Sequence, residues 1–301
     1  MSALNKARQM EARARANASA SAPHPADAPA LRLPNWREPY RALPNAVLRS
    51  ALFAVIGKGL RANKLDGITI NSQAGIALTY TGEQLDQSDL DLWAAQLHLL
   101  RNHPLDQELH TSIYALLKGL DITDTGPSRA SLKHRLLRLS SCELSIRTAS
   151  CVYEGNLTKT DGLDGNKPLA LSLNPSIIKL FASDQYTLIH WGVRGMLSGS
   201  PLAQWLHGYY STHAAPYPVR IDTLHKLSGS KTLSPGKFLQ LLRRALDKLT
   251  LASAEHGQKF TYQIDGELVR VDKRPSPSQQ RHLSQRQNRT VTAGKTYRHS
   301  G

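Results

Sequence analysis

The stretch SPGKFLQLLRRALDKL, residues 234–249, predicts a helix with one apolar side and one basic side. At 100° per residue along 234–251, the apolar residues fall within one half of the helical wheel: Phe238, Leu239, Leu241, Leu242, Ala245, Leu246 and Leu249. The polar residues fall on the other half: Lys237, Gln240, Arg243, Arg244, Asp247 and Lys248. A charged helix face is most often only solvated surface. Here the nearly uniform positive charge favours a face that meets a negatively charged partner.

The elements before this helix belong to the same unit. SPLAQWLHGYYSTH predicts a helix with Ser200 as its cap and Pro201 at its first position. PYPVRIDTLHKLSGS then predicts a short strand and a helix that stops at Gly229. The basic helix is therefore the third of three.

A hairpin is predicted after the basic helix. KFTYQI and ELVRVDK flank the dipeptide Asp265-Gly266, which is a strong two-residue turn signal. This turn would pair Tyr262 with Val269 and Phe260 with Val271. Helix, helix, turn, helix and hairpin is the order of a winged helix.

The same order of elements is predicted earlier in the chain. SDLDLWAAQLHLLRN, with Ser88, Asp89 and Asp91 suited to its N-terminus, LHTSIYALLKGL and SRASLKHRLLRLSS would be the helices. ELSIRT and LALSLN, joined by the loop EGNLTKTDGLDGNKP, would be the hairpin. The predicted fold class is α+β, mainly helical: two tandem winged-helix domains at 36–183 and 184–273. Residues 1–35, rich in Ala, Arg and Pro, and the basic residues 274–301 are predicted to be disordered tails.

The third helix of such a unit is the one that enters the major groove of duplex DNA. Arginine can contact guanine, and glutamine adenine, through two hydrogen bonds, whereas lysine suits phosphate. On the helix 128–141, the leucines Leu132, Leu136, Leu137 and Leu139 form the predicted buried half, with Lys133 among them. The predicted DNA-binding residues of both units are Arg129, Ser131, His134, Arg135, Arg138, Lys237, Gln240, Arg243, Arg244, Lys248, Arg270 and Lys273. Lys159, Lys167, Lys259 and Arg274 lie in or beside the predicted hairpins, where basic residues usually position the backbone of DNA.

The overall composition agrees with a polyanionic partner. The 301 residues carry a net charge of +15, with a pI near 10.0. Nucleic acid is the first candidate and an anionic membrane the second, while a merely soluble basic protein is the plain alternative. No apolar run approaches the ~20 residues of a membrane span, and the N-terminus has no secretory apolar region.

The sequence carries no motif of catalysis or of a cofactor site. It has no GxxxxGK[ST], HExxH or GxSxG stretch. The spacing of His98, His103 and His110 does not favour a metal site, and no Cys/His cluster suggests zinc. Cys142 and Cys151 fit isolated thiols in a reducing cytosol, although a disulfide between them stays open. The chain is predicted to be a binding protein, not an enzyme, without metal or cofactor.

Several long stretches resemble the TrfA-type plasmid replication initiator proteins: LPNAVLRSALF, LTYTGEQLDQSDLDLWAAQLHL, FASDQYTLIHW and SPLAQWLHGYYSTHAAPYPVRIDTLHKLSGS. The resemblance covers roughly residues 43–272. It implies two winged-helix domains that bind directly repeated sites, called iterons, at a plasmid origin in the bacterial cytoplasm. It also implies opening of an AT-rich region, recruitment of the host replicative helicase and initiator, and copy-number control through dimers that are less active than monomers.

One feature of the family is missing. Some members contact the sliding clamp through a short Gln-Leu-polar-Leu-Phe motif before the folded core, where this chain reads ALRLPNW. QLHLL at 96–100 matches loosely, but its leucines are needed for the core. Two other interpretations stay open: a winged-helix transcriptional regulator, and a protein that coats DNA without a preferred sequence.

Overall fold

A computed structural model describes residues 30–57, 59–164 and 168–285. A compact unit begins at Arg32, and the fold below is that of this unit. The predicted tail 1–35 lies mostly outside the described residues, as do Lys167 and the last part of the second tail, 286–301. Leu33 and Trp36, close to the predicted end of the first tail, are already buried in the core.

The buried apolar side chains form two cores. The first runs from Leu33 to Ile189 and the second from Val193 to Val271, and we call the two parts the first and second modules. The predicted domain limit after residue 183 falls before the strand Tyr186–His190, which pairs with Tyr40–Pro44 in the first module. The change of core comes immediately after that strand.

The first module begins with short elements and a mixed set of strands. These are β1 (Tyr40–Pro44), α1 (Asn45–Leu48), β2 (Phe53–Ala54), β3 (Leu65–Thr69), β4 (Ala77–Gly82) and β5 (Leu85–Asp86). It continues with α2 (Gln87–Leu100), β6 (Leu109–Thr111), α3 (Ile113–Gly119), α4 (Gly126–Ser141), β7 (Glu143–Arg147), β8 (Val152–Gly155), β9 (Lys159–Asp161) and β10 (Leu169–Ser172). A 3-10 helix (Pro175–Phe181) and β11 (Tyr186–His190) complete it.

The second module is simpler. Its elements are α5 (Trp191–Met196), α6 (Pro201–Ser211), β12 (Val219–Arg220), α7 (Ile221–Ser228), α8 (Pro235–Glu255), β13 (Phe260–Asp265) and β14 (Leu268–Lys273). Residues 277–285 are also helical, although they were predicted to be part of a disordered tail. The Gln279 side chain holds this segment by donating to the carbonyl oxygen of Ser211 at 2.8 Å and accepting from Lys273 Nζ at 3.2 Å.

The two modules share one plan. In the first, α2, β6, α3, α4 and the hairpin β9–β10 follow in that order, and the sheet runs β6-β10-β9. In the second, α6, β12, α7, α8 and the hairpin β13–β14 follow in the same order, and the sheet runs β12-β14-β13. The predicted duplication of elements is therefore visible in the order of helices and in the order of strands.

Two strand pairings differ from the predictions. The ELSIRT segment (β7) does not pair with LALSLN (β10), but joins a separate four-stranded sheet of order β3-β4-β7-β8. The hairpin β13–β14 pairs Tyr262 with Val271 and Ile264 with Val269, because Gly266, with φ 55°, and Glu267 form its turn. The prediction placed the turn one residue earlier, at Asp265-Gly266, and therefore gave each residue of β13 a partner two positions too early in β14.

The helices begin where polar side chains cap them. Asp86 caps α2: its carboxylate accepts from the backbone N–H groups of Ser88 and Asp89, and the Asp89 carboxylate accepts from the backbone N–H of Asp86. Thr125 caps α4 by accepting from the backbone N–H of Ser128, so Gly126 and Pro127 belong to the first turn of the helix. Ser234 caps α8 through the N–H of Lys237.

The two modules pack directly on each other. Trp205 Nε1 donates to the carbonyl oxygen of Ser50 at 3.1 Å, and the N–H of Val55 donates to the carbonyl oxygen of Ser228 at 2.7 Å. Gly229 ends α7 in the left-handed region, at φ 64°, against the methyl groups of Ala51 and Ala54. Its lack of a side chain serves both the turn and the contact.

We expect Gly229→Ala to lower the free energy of unfolding by more than Gly257→Ala does. Both glycines follow helices with φ near 64–65°, so each alanine costs about 1–2 kcal/mol in backbone strain. At Gly229 the added Cβ would lie 2.9 Å from the Cβ of Ala54, which adds about 1–3 kcal/mol of overpacking. Nothing lies within 4 Å of a Cβ at Gly257. Urea unfolding of the two variants measures the difference, and equal losses would contradict the described contact.

We also expect the protein to lose stability between pH 7.5 and pH 5. Burial lowers the pKa of His207 to about 3 and that of His213 to about 4, below the ordinary value near 6.5. The unfolded chain therefore binds protons at these histidines before the folded chain does, and folding weakens as the pH falls through 6.5. At pH 5 each histidine costs about 2 kcal/mol. Urea unfolding at both pH values should show a smaller loss for His207→Gln/His213→Gln, whereas His110→Gln, at an exposed position, should behave like the unaltered chain.

Candidate nucleic-acid interface

The outward face of α8 carries cations without partners. Lys237, Gln240, Arg243 and Arg244 are exposed, whereas Phe238, Leu242, Leu246 and Leu249 are buried in the second core. Within the described residues, no hydrogen bond or ion pair engages the side chains of Lys237, Arg243 or Arg244. Three positive charges are therefore free to meet a ligand.

The other two charged residues of this face already have partners. The Tyr262 hydroxyl donates to Asp247 Oδ1 at 2.6 Å, which ties the acid to β13. Partial burial and this bond raise the pKa of Tyr262 to about 12. Lys248 Nζ donates to the carbonyl oxygen of Ser198 at 3.0 Å. Asp247, the acidic residue of this face, is thus held beside the hairpin β13–β14.

On α4 the predicted residues have different environments. Ser131 and His134 are exposed and Arg135 is half-buried, and none of the three side chains has a hydrogen-bond partner in the part of the chain that the structure describes. Arg129 is exposed but forms a two-pronged ion pair with Asp124, at 2.6 and 2.7 Å. Leu137, predicted to be buried, is 49% exposed and lies among the polar residues.

Arg138 points away from the predicted interface. Its guanidinium donates to Asp89 Oδ1 at 2.8 Å and lies 3.4 Å from Glu83, and its side chain is only 12% exposed. Asp89 is fully buried and also contacts Arg61. Burial, with the charge of Asp86 beside it, raises the pKa of Asp89 above its ordinary value. Arg138 therefore balances a buried carboxylate, and we remove it from the candidate interface.

The basic residues of the second hairpin are largely neutralised. Lys259 pairs with Asp272 at 2.5 Å, and Arg270 lies 4.0 Å from Asp265. Lys273 is half-buried against Gln279, and burial lowers its pKa to about 8. Arg274 at the end of the hairpin is exposed. In the first module Lys159 is exposed on β9, and Lys167 lies outside the described residues.

One exposed side chain beside α8 was not anticipated. Leu233, in the turn just before the cap Ser234, is 97% exposed. An isolated leucine in the polar stretch SGSKTLSPGK is the only sequence signal for it. It adds an apolar group at the N-terminal end of the cationic face.

Other candidate sites are not supported among the described residues. No group of three His, Cys, Asp or Glu side chains there is placed to hold a metal ion. Cys142 and Cys151 are free thiols. Gln96, Leu97 and Leu100 of the loose clamp-motif match are buried. Across the same ranges, none of the helices combines the length and apolar character needed to cross a bilayer.

Comparison with known proteins gives the family. The family model described as TrfA protein matches residues 28–258. The chain belongs to the TrfA family. The plasmid replication initiator protein TrfA of Escherichia coli is 27% identical over 222 residues, which are 71% of this chain and 58% of that protein. This TrfA-family chain therefore spans less than two thirds of the length of that relative.

Two solved structures are also similar to this chain. Both are crystal structures of domains 2 and 3 of RctB, each 15% identical to this chain. One covers 76% of this chain and 97% of its own, with a TM-score of 0.49. The other covers 75% and 96%, with a TM-score of 0.44.

We expect Arg138→Gln and Arg135→Gln, three residues apart on α4, to act on different properties. Arg138→Gln should lower the free energy of unfolding by about 2–4 kcal/mol, because it removes one of the two cations, Arg61 and Arg138, that the described residues place on the carboxylate of Asp89. Arg135→Gln removes no described contact and should change stability by less than about 0.5 kcal/mol. Urea unfolding measures both. Equal losses of stability would contradict the ion pair between Arg138 and Asp89.

Proposed function

We propose that this TrfA-family chain is a plasmid replication initiator. It binds direct repeats in the duplex DNA of a plasmid origin, and it does so with sequence specificity. The observation that carries the proposal is the face of α8, where Lys237, Arg243 and Arg244 are exposed and have no acidic partner among the described residues. The closely spaced phosphate groups of DNA are a polyanionic ligand for such a face. Membership of the TrfA family supports the assignment to replication.

In this proposal each module is a winged helix whose third helix enters the major groove. The shared order of helix, strand, helix, helix and hairpin supports this docking mode. Gln240, Arg243 and Arg244 are long enough, and exposed enough, to reach base edges from α8. Lys237 lies in the first turn, at the positive end of the helix dipole, and suits a phosphate.

We infer that the two third helices contribute unequally. Among the described residues, three cations of α8 have no ion-pair partner, whereas on α4 Arg129 is paired with Asp124 and Arg138 is paired internally. Of the residues predicted on α4, Ser131, His134 and Arg135 are left to contact DNA without first breaking an ion pair within the described part of the chain. The second module would therefore supply most of the affinity.

Origin opening, recruitment of the host helicase and control of copy number by dimers are proposed on the family relationship alone. Contact with a sliding clamp is not proposed through residues 96–100, because Gln96, Leu97 and Leu100 are buried. The C-terminal basic residues beyond 285 lie outside the described part of the chain.

Footprinting on the parent plasmid tests the proposal. We expect protection of several direct repeats whose spacing is a multiple of about 10.5 base pairs, the helical repeat of DNA. Protection of one inverted repeat at a promoter would instead indicate a transcriptional regulator. Uniform binding with no preferred site would indicate a non-specific DNA coat.

Arg243→Ala and Arg244→Ala distinguish base reading from phosphate binding. A residue that reads a base should cost about 1–3 kcal/mol of binding and relax the sequence preference at one position. A residue that binds phosphate should weaken binding to all sequences and lower the salt dependence. Titration of the footprinted site and of its single-base variants measures both effects. Arg147→Ala, at an exposed arginine of the β3-β4-β7-β8 sheet, is the control and should leave binding unchanged.

A further inference from the structure

A buried arginine joins the two modules. Arg194 of α5 is 2% exposed, and its Nε donates to Asp91 Oδ1 of α2 at 2.6 Å. One terminal nitrogen donates to the carbonyl oxygen of Gln204 at 2.8 Å, and the other donates to the Gln87 side chain at 3.0 Å. The Gln204 amide donates to the second oxygen of Asp91 at 2.9 Å. Both oxygens of the carboxylate and all three nitrogens of the guanidinium are therefore engaged. We call these four residues the Arg194 network.

The network lies between α2 and α6, the helices against which the third helices α4 and α8 pack. Asp91 and Gln87 belong to α2, which packs on α4 in the first module, and Gln204 belongs to α6, which packs on α8 in the second. A second arginine that joins the modules is Arg49, whose guanidinium donates to the hydroxyl and the carbonyl oxygen of Thr212. Any rotation of one module against the other would break charged hydrogen bonds in both places.

Such a network favours one geometry more than it favours stability. Charges taken out of water are costly, and their attraction offsets that cost only when the hydrogen-bond geometry is good. An apolar contact, in contrast, tolerates sliding because it has little directionality. The guanidinium fork and the carboxylate fit each other in one orientation. The geometry of the Arg194 network thus favours one arrangement of α4 and α8.

We propose that the Arg194 network fixes the phase between the two third helices, so that the protein binds two half-sites only at one spacing. This inference rests on the proposed function, and it adds a positioning role for residues that do not touch DNA. Specificity would then depend on base identity within each half-site and on the number of base pairs between them. Without the network, the remaining contacts, such as those of Arg49 with Thr212 and of Trp205 with Ser50, would hold the two modules less rigidly.

The first test uses the unaltered full chain. A duplex probe is selected by the protein from a random-sequence pool, and hydroxyl-radical footprinting then locates the protected patches on it. We expect two patches, and insertion of five base pairs between them, about half a helical turn, should weaken binding by at least about tenfold. Tolerance of that insertion, or a single protected patch, would overturn the inference while leaving sequence-specific binding intact. Failure to select any sequence would overturn the proposed function as well.

The second test uses Arg194→Lys and Asp91→Asn, each checked for folding by circular dichroism. Either variant should bind the original and the five-base-pair-inserted probes within about threefold of each other, with unchanged preference inside each half-site. Gln204→Met, which keeps the ion pair, is the milder variant if those two do not fold, and its spacing preference should weaken in the same direction. Arg147→Lys, at an exposed ion pair away from the network, should keep the spacing preference of the unaltered chain. Variants that fold and keep that preference would refute the role of the network.

Discussion

Burial of the leucine side of α8 is the constraint on which the second module depends. Helices α5, α6 and α7 and strand β13 all pack against α8. Phe238, Leu242, Leu246 and Leu249 are buried there, and each contributes about 1.5–3 kcal/mol relative to an exposed side chain. Because the basic residues occupy the opposite half of the same helix, the packing that stabilises the module also turns those residues outward. The cationic face is thus a direct consequence of how the core forms.

The same constraint acts on α4 with a different result. Leu132, Leu136 and Leu139 are buried, as the helical period predicts. Yet Arg138 lies at the margin of the buried side, where Asp89 of α2 can reach it. The carboxylate is 49 positions earlier in the chain, so nothing in the local sequence of α4 indicates that the arginine is taken. The charge of a helix face is therefore a tertiary property, even when the face itself is visible in the sequence.

This distinction separates what the sequence predicts from what it does not. The three helices predicted in each module, most of the apolar side of α8 and the duplication of elements follow from periodicity and turn residues, and the structure has them. Leu241, predicted on the apolar side of α8, is 38% exposed. The predicted pairing of the first hairpin was wrong because the sequence of β7 shows the alternation of a strand but does not indicate its partner. That partner, β4, has its paired residues 62 to 70 positions earlier, from Thr81 with Glu143 to Ala77 with Arg147. The predicted register of β13–β14 was wrong because it depended on the position of a single turn. The predicted burial of Leu137 was wrong because that residue lies near the boundary between the two sides of α4. The Arg194 network was missed because its members are ordinary polar residues spread from Gln87 to Gln204.

Whether an arginine has a carboxylate partner follows from how far its guanidinium is removed from water. Arg194 is buried and Arg138 is largely buried, and each has a carboxylate partner, because an unpaired cation there would be too costly. Arg243 and Arg244 stay in water and need none.

The arrangement of cations on α8 still has a cost, since Arg244 and Lys248 lie four residues apart, where like charges destabilise a helix by about 0.2–0.5 kcal/mol. Screening at physiological salt acts over about 8 Å, so these neighbouring charges still interact. A polyanion placed against the face would convert that repulsion into attraction, whereas an uncharged partner would deepen it. The face is therefore complementary to a ligand with closely spaced negative charges, and the phosphates of a DNA strand have that property.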